Sequence, residues 1–492
     1  MNTEYKPRVN NAAFFAAGNL KSNWNSIFTT MDHWAGRAAP KKEVPPGMLR
    51  LAEEARYFTH KYEAFLSDVE IDPVESDEFD ANKLRSLALE KVLEEWDTIR
   101  HALEQRENPR YHDTLVELDA LARECFTPFF DEGKIQKGVF AYFHKLFDIK
   151  RFVFSNTPLI GAPFSALHAP EDWLAIPHEV GHFIFWNGTE SFADFNKFQV
   201  EIQNRFIDAI NNSIQGRIKG RPLHHKGEVF QVWLDWINEI FADVFGTLVA
   251  GPAYAWSLQT NLRGGLTVRD LLHNHDVSDH PDPFLRPFFH IQVLREMAKE
   301  TSAEPEFASQ LNSHARLLEE SWRASWPGDL SAKLHTPDNI GTMENVISTE
   351  VQAVVSVILD IDLGENFPFS LREYFRKGLL YNSRLNAETL DLATQIRPGE
   401  QLVIDSPLKK CIAARMAIVG GTDPAVVHSV LGYPEAEKLP SLEPSLEQEF
   451  QTFIENVTGH ISIADQLKAW RRVLNFSLRE QDFHKHNHPH YH

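Results

Sequence analysis

Trp173-Leu174-Ala175-Ile176-Pro177-His178-Glu179-Val180-Gly181-His182-Phe183-Ile184-Phe185-Trp186 is an apolar run interrupted by three polar residues at a fixed spacing. It reads as a helix. Positions i and i+4 of a helix share a face, so His178 and His182 point two imidazoles at one metal ion. Glu179 is next round the turn, close enough to reach a water on that metal without being a ligand. This is the H-E-x-x-H pattern. Zinc takes nitrogen or anionic donors at about 2.0–2.2 Å in a tetrahedron, and a catalytic site leaves one position open. The same residues also read as a core helix with two hydrogen-bonded histidines. A third ligand decides between the two.

That ligand is sought in Trp233-Leu234-Asp235-Trp236-Ile237-Asn238-Glu239-Ile240-Phe241-Ala242-Asp243-Val244-Phe245. Val229, Trp233, Trp236, Ile237, Ile240, Val244 and Leu248 recur at helical spacing. Glu239 and Asp243 are i and i+4 within this apolar setting. Buried carboxylates are costly unless paired or bound to a metal. One acid completing the metal site, with the second hydrogen-bonded to a ligand histidine, removes that cost for both. The other reading is an amphipathic helix with both acids in solvent.

These residues resemble the gluzincin metallopeptidases. Thermolysin and the CAAX prenyl-protein endopeptidase family both carry H-E-x-x-H, then a glutamate on a later helix with an aspartate four residues beyond. The resemblance implies one zinc ion held by His178, His182 and Glu239. It implies Glu179 as general base and Asp243 as partner of a ligand histidine. His280-Pro281-Asp282-Pro283-Phe284-Leu285-Arg286 is similar to the H-P-x-x-x-x-R segment of the CAAX family. There the histidine and arginine stabilise the tetrahedral transition state and hold the active site together, which implies those roles for His280 and Arg286. As plain sequence, the segment is also a Pro-rich turn with a helix starting at Phe284.

The resemblance runs from about residue 173 to 286 and is one of motifs. The chain between His182 and Glu239 is longer than in thermolysin, with room for extra helices. Pro177 beside His178 is a departure: it either kinks the helix or sits in its first turn. No G-x-M-E-N segment of the aminopeptidase kind precedes the motif. The implied protein is a zinc endopeptidase acting on a peptide or protein substrate. Its core is zincin-like and α+β, within a mostly helical chain. The rivals are a non-catalytic metal-binding or interaction module on the same scaffold, and a zinc hydrolase of non-peptide substrates.

Composition bounds the partners. The 492 residues carry a net charge of −20. That argues against nucleic acid, whose phosphates need a basic surface, and against an anionic membrane. Hydrophobic content of 43 % supports sizeable cores. Cys125 and Cys411 make no disulfide framework, and the expected location is cytoplasmic. Ala12–Ala17 is too brief for the apolar part of a signal peptide. No stretch approaches the ~20 apolar residues of a membrane span, so the spans of the CAAX endopeptidases are absent. Val346–Leu363 reads as a core helix.

Taken in order, residues 1–150 form a helical N-terminal region, with helices over Leu49–Leu66, Asn82–Leu103 and Tyr111–Phe126. Residues 151–300 form the catalytic core. Arg151–Ser155 reads as a strand before the metal helix, either a cleft-lining edge strand or a covering loop. A helix is expected over Phe192–Ser213, and a basic loop over Gly216–Lys226 with His224 and His225 solvated. The glutamate helix stops at Gly251-Pro252. Tyr254 just beyond it reads as packing or as an extra donor in the cleft. His273 and His275 lie in the loop before His280, where a second metal is the lesser reading. Residues 301–395 form a helical extension on the core. Helices over Phe284–Lys299, Glu306–Ser325 and Asn345–Leu359 are expected. Residues 396–483 form a small helical unit with helices at Leu408–Val419, Asp423–Leu431 and Leu446–Val457. A helix-turn-helix over 408–435 fits poorly with the acidity. Residues 484–492 are a His-rich tail.

Overall fold

The computed structural model describes residues 44–68, 81–129, 139–144, 147–152, 155–186, 223–265, 283–325, 350–361 and 367–433, with a few isolated positions besides. His280, His273, His275, the helices expected over 192–213 and 446–457, and the His-rich tail lie outside them, apart from 204, 205 and 208. The fold is α+β and mostly helical, with one small sheet.

Three helices open the described chain: α1 (Pro46–Asp68), α2 (Ala81–Glu107) and α3 (Pro109–Phe126). Asn108 caps α3, its side chain accepting from the Arg110 amide at 3.0 Å, and Pro109 follows at the first helical position. Proline suits that place because its missing N–H would be unpaired anyway.

The sheet comprises β1 (Phe140–His144), β2 (Asp148–Phe152) and β3 (Ser155–Pro163) in the order β1-β3-β2. β1 runs parallel to β3 and β2 antiparallel. Side chains alternate between faces, and the two faces enter different cores. Phe140, Tyr142 and Leu159 pack with Met48, Leu51, Trp96 and Ile99 of α1 and α2. Ala141, Phe143, Ile160 and Ala162 join the main core with Leu118 of α3 and with Val180 and Ile184. Full burial of such an aliphatic side chain contributes about 1.5–3 kcal/mol.

The expected strand Arg151–Ser155 is corrected here. The run straddles a tight reversal: β2 ends at Phe152, β3 starts at Ser155, and the register shifts between Lys150 and Phe152. The strand β3, which leads toward the helix carrying His178 and His182, is therefore central, and β2 is at an edge. The outer edge of β1 is sealed by side chains. The Gln105 amide bonds both N–H and C=O of Phe143 at 2.6 and 2.9 Å. Asp119 accepts from the Ala141 amide at 2.7 Å, and Arg106 donates to the Ala141 carbonyl. An unpaired edge is a pairing template, and here helices α2 and α3 cover it.

Two 3-10 turns, Phe164–Leu167 and Pro170–Ala175, lead into α4 (Ile176–Trp186). Pro177 sits in the first turn of α4, so it starts the helix without kinking it. The later helices are α5 (Leu223–Gly265), α6 (Arg286–Glu300), α7 (Pro305–Ala324), α8 (Val351–Asp360), α9 (Leu371–Arg376), α10 (Ser383–Gln395), α11 (Pro407–Val419) and α12 (Pro424–Val430). Residues 223–226 are the first turn of α5, which corrects the loop expected for His224 and His225. α6 begins at Arg286 after a turn over 283–285, slightly later than expected.

The expected stop at Gly251-Pro252 is a kink. Gly251 takes φ 58°, ψ −141°, and α5 resumes from Pro252 to Gly265. Pro252 has no N–H for the Leu248 carbonyl four residues back. The Tyr381 amide fills that place, donating to Leu248 O at 2.8 Å.

α11 has an N-cap, Ser406, which accepts from Lys409 N at 3.2 Å. Its residues Cys411, Ile412 and Met416 belong to the main core. Ala413, Ala414 and Ala417 belong to a smaller cluster with Val427 and Val430. Arg415 donates to Ser257 Oγ on the second limb of α5 at 3.2 Å. His428 of α12 meets Glu171, in the turn before α4, at 3.0 Å.

No helix among the described residues is long and apolar enough to cross a membrane.

Candidate metal centre

α4 and α5 cross in close contact because Gly181 lies at the crossing. A Cβ there would stand 2.8 Å from Ala242 Cα and 3.0 Å from Phe245 Cβ. Real atoms do not tolerate that approach, so glycine is needed to bring the two backbones together. Their polar residues then meet inside a sheath of Val180, Phe183, Ile240 and Val244.

His178, His182 and Glu239 converge, and their ligand atoms all lie within 4.8 Å of one another. His178 Nε2 and His182 Nε2 are 3.0 Å apart. Glu239 Oε2 lies 3.5 Å from His178 Nε2, and Oε1 lies 3.4 Å from His182 Nε2. Ligand atoms about 2.0–2.1 Å from a tetrahedral ion stand about 3.3–3.4 Å from each other. The three observed edges bracket that length, so the donor set fits zinc in both kind and spacing. The buried carboxylates exclude the reading in which Glu239 and Asp243 face solvent.

Asp243 is fully buried behind His178, with Oδ1 2.9 Å from His178 Nδ1. That contact directs the other ring nitrogen, Nε2, toward Glu239 and His182. Arg286 grips the same carboxylate, Nε to Oδ2 at 2.7 Å and Nη2 to Oδ1 at 2.9 Å. Its Nη2 also reaches Glu239 Oε2 at 3.4 Å. The guanidinium is thus engaged by both Glu239 and Asp243.

Three further residues complete the arrangement. The Tyr254 hydroxyl donates to Asp243 Oδ1 at 3.0 Å and lies 3.2 Å from His178 Nδ1. The packing role favoured for it is only part of its place. Thr247 Oγ donates to the Asp243 carbonyl at 2.9 Å and meets His290 Nδ1 at 2.7 Å. His290 Nε2 faces Asp243 Oδ2 at 3.7 Å. Neither Thr247 nor His290 is singled out by the motifs. A signal for them exists in the spacing: Thr247 is four residues after Asp243, and His290 four after Arg286. His178–His182, Glu239–Asp243–Thr247 and Arg286–His290 are three i, i+4 ladders on three helices.

The titration behaviour follows from burial and charge. Burial opposes charge on His178, but Asp243 and Glu239 outweigh it and raise its pKa to about 10. Burial, then the neighbouring His178, push His182 down to about 4. Burial works against a charged Asp243, yet Arg286, His290 and His178 hold its carboxyl well below the usual carboxylate range. Burial pushes Glu179 up to about 7, with Glu239 and Asp148 acting in the same direction and His178 and Arg286 against it.

No family model, no curated protein and no solved structure matches this chain.

Proposed function

We propose that this chain is a zinc-dependent peptidase of gluzincin type. The observation that carries the reading is the triangle of His178, His182 and Glu239 at tetrahedral spacing with Glu179 beside it. His178, His182 and Glu239 would hold the ion, and Asp243 would orient His178. Zinc bound there supplies Lewis acidity and a water of lowered pKa. Glu179 would hold a proton taken from the attacking water and return it to the leaving amine. A binding module has no need of a buried carboxyl tuned near neutrality. Arg286 holds Asp243 in its charged form and bonds Glu239 as well, and His280 is the remaining candidate donor for the developing oxyanion. With the β1 edge sealed, an extended substrate would pair along β2, which packs beside α4. The free, buried thiols of Cys125 and Cys411 suit a reducing compartment such as the cytoplasm.

The test is zinc content by elemental analysis for the protein ending at residue 483 and for its His178→Ala variant, followed by cleavage of a peptide library. One zinc lost in the variant, with chelator-sensitive cleavage, is the expected result. Zinc without cleavage would turn the reading toward a metal-binding module or a hydrolase of other bonds. No zinc in the wild type would end it.

A further inference from the structure

Tyr254 stands eleven residues after Asp243 on the same helix, yet their side chains share a hydrogen bond of 3.0 Å. On an unbroken helix that separation is about 16 Å of axial rise, more than a tyrosine and an aspartate span together. The break at Gly251 makes the contact. Its φ of 58° and ψ of −141° is a conformation open to glycine and strained for other residues.

Three other features fit that break. A Cβ on Gly246 would stand 2.7 Å from the Tyr254 ring, so the absence of a side chain there is the slot that admits the ring. The Tyr381 ring closes over Gly251, where a Cβ would stand 2.5 Å from it. The Tyr381 amide satisfies the carbonyl that Pro252 cannot. On its other side the Tyr254 ring meets His290 edge-on, with centroids 5.2 Å apart. Two glycines, a proline and a second tyrosine thus deliver one phenol hydroxyl to the back of His178.

We infer that Tyr254 is a positioning residue of the metal centre, acting through Asp243 and His178. Asp243 Oδ1 has to receive the His178 Nδ1–H, and Arg286 approaches the same oxygen at 2.9 Å. The phenol donates to Oδ1 as well and lies 3.2 Å from the His178 ring nitrogen. It fixes the oxygen on the histidine and limits rotation of the carboxylate toward the guanidinium. Partners behind metal ligands typically govern about 10–100-fold in metal affinity. This inference rests on the metal-centre reading above.

The experiment is zinc affinity of the full chain by chelator competition, together with the visible absorption of the cobalt-loaded protein. Wild type, Tyr254→Phe, Tyr381→Phe and His178→Ala are compared. His178→Ala measures what the His-rich tail binds by itself. Tyr254→Phe keeps the ring in its slot and removes only the hydroxyl. It should bind zinc about tenfold more weakly, shift the cobalt bands, and keep the wild-type circular dichroism without metal. Tyr381→Phe loses a buried hydroxyl bonded to Asn386 at 2.7 Å, and should keep wild-type zinc affinity. Wild-type affinity and an unshifted cobalt spectrum for Tyr254→Phe overturn the inference alone. Equal weakening in both tyrosine variants reduces it to a general packing effect and overturns it too. A wild type that binds no more zinc than His178→Ala removes the metal centre, and the inference with it.

Discussion

Arg286 and Asp243 meet fork to fork, Nε on Oδ2 at 2.7 Å and Nη2 on Oδ1 at 2.9 Å, with the carboxylate wholly buried. Removing one partner of such a pair leaves the other as an uncompensated charge, which costs about 3–5 kcal/mol. Arg286→Ala should lose stability of that order in urea unfolding of the metal-free protein. Arg286→Lys should recover only part of it, because an ammonium cannot make the two parallel bonds. Unfolding curves that coincide with the wild type would show that the pair is not needed for folding.

Glu179→Gln tests the proton carrier. The amide keeps the shape of the side chain and leaves His178, His182 and Glu239 untouched, so zinc content should stay at the wild-type level. Turnover of any peptide substrate should fall by about 10²–10⁴-fold, the usual contribution of a positioned acid–base group. Wild-type turnover by the variant would remove Glu179 from the mechanism.

Glu239→Ala tests the third ligand. It removes the one carboxylate among the described residues whose oxygens face both histidine nitrogens, at 3.5 and 3.4 Å. Zinc should be retained far more weakly after gel filtration. Full retention would point to a different third ligand, and His280 would be the next substitution.

Gly181→Ala tests the helix crossing. The added methyl would meet Ala242 Cα at 2.8 Å, against backbone that cannot swing aside. Overpacking of this kind costs about 1–3 kcal/mol. Thermal unfolding should shift down, and zinc affinity should fall because His178 and His182 lie on α4 and Glu239 on α5. A lowered melting temperature with unchanged zinc binding would mean that the helices adjust without moving the histidines.

His428 and Glu171 give a pH prediction away from the metal ligands. The hydrogen bond to Glu171 raises the pKa of His428, burial opposes it, and Glu171, Asp172 and Asp423 add favourable charge. A histidine raised on folding contributes stability that is fully present below its unfolded pKa, about 6.5. That contribution is lost as pH rises through the folded value. The stability difference between wild type and His428→Ala should therefore be largest in mild acid and shrink above neutrality. A difference that is flat with pH, or that grows with it, would contradict the pairing.

Much of the centre is legible in the chain because helices convert spacing into direction. The i, i+4 pairs His178–His182 and Glu239–Asp243 each define a face, and an apolar setting marks each face as buried. Arg286 comes from a loop-to-helix junction, where resemblance rather than periodicity singles it out. What spacing does not convey is how three helices approach each other. Gly181 shows its purpose only once Ala242 lies against it. Tyr254 belongs with Asp243 only because Gly251 breaks the helix, and Gly-Pro reads equally as a terminus. The strand before α4 is misread for a similar reason: an apolar run that spans a reversal has no periodic signature of its own. Thr247 continues the Glu239–Asp243 row and His290 stands four residues after Arg286, so i, i+4 spacing carried a signal for both.

The place of α11 has a consequence for how the protein comes to exist. Its Arg415 holds Ser257 and its apolar face completes the main core, yet it follows the metal helix by more than two hundred residues in synthesis. A ribosome adds about 5–20 residues each second, so His178 and Glu239 are made well before the helix that packs on the second limb of α5 and completes the main core. Nascent chains released before Val419 should lack the finished core around α5. On the hydrolytic reading proposed above, activity arises only once nearly the whole described chain is present.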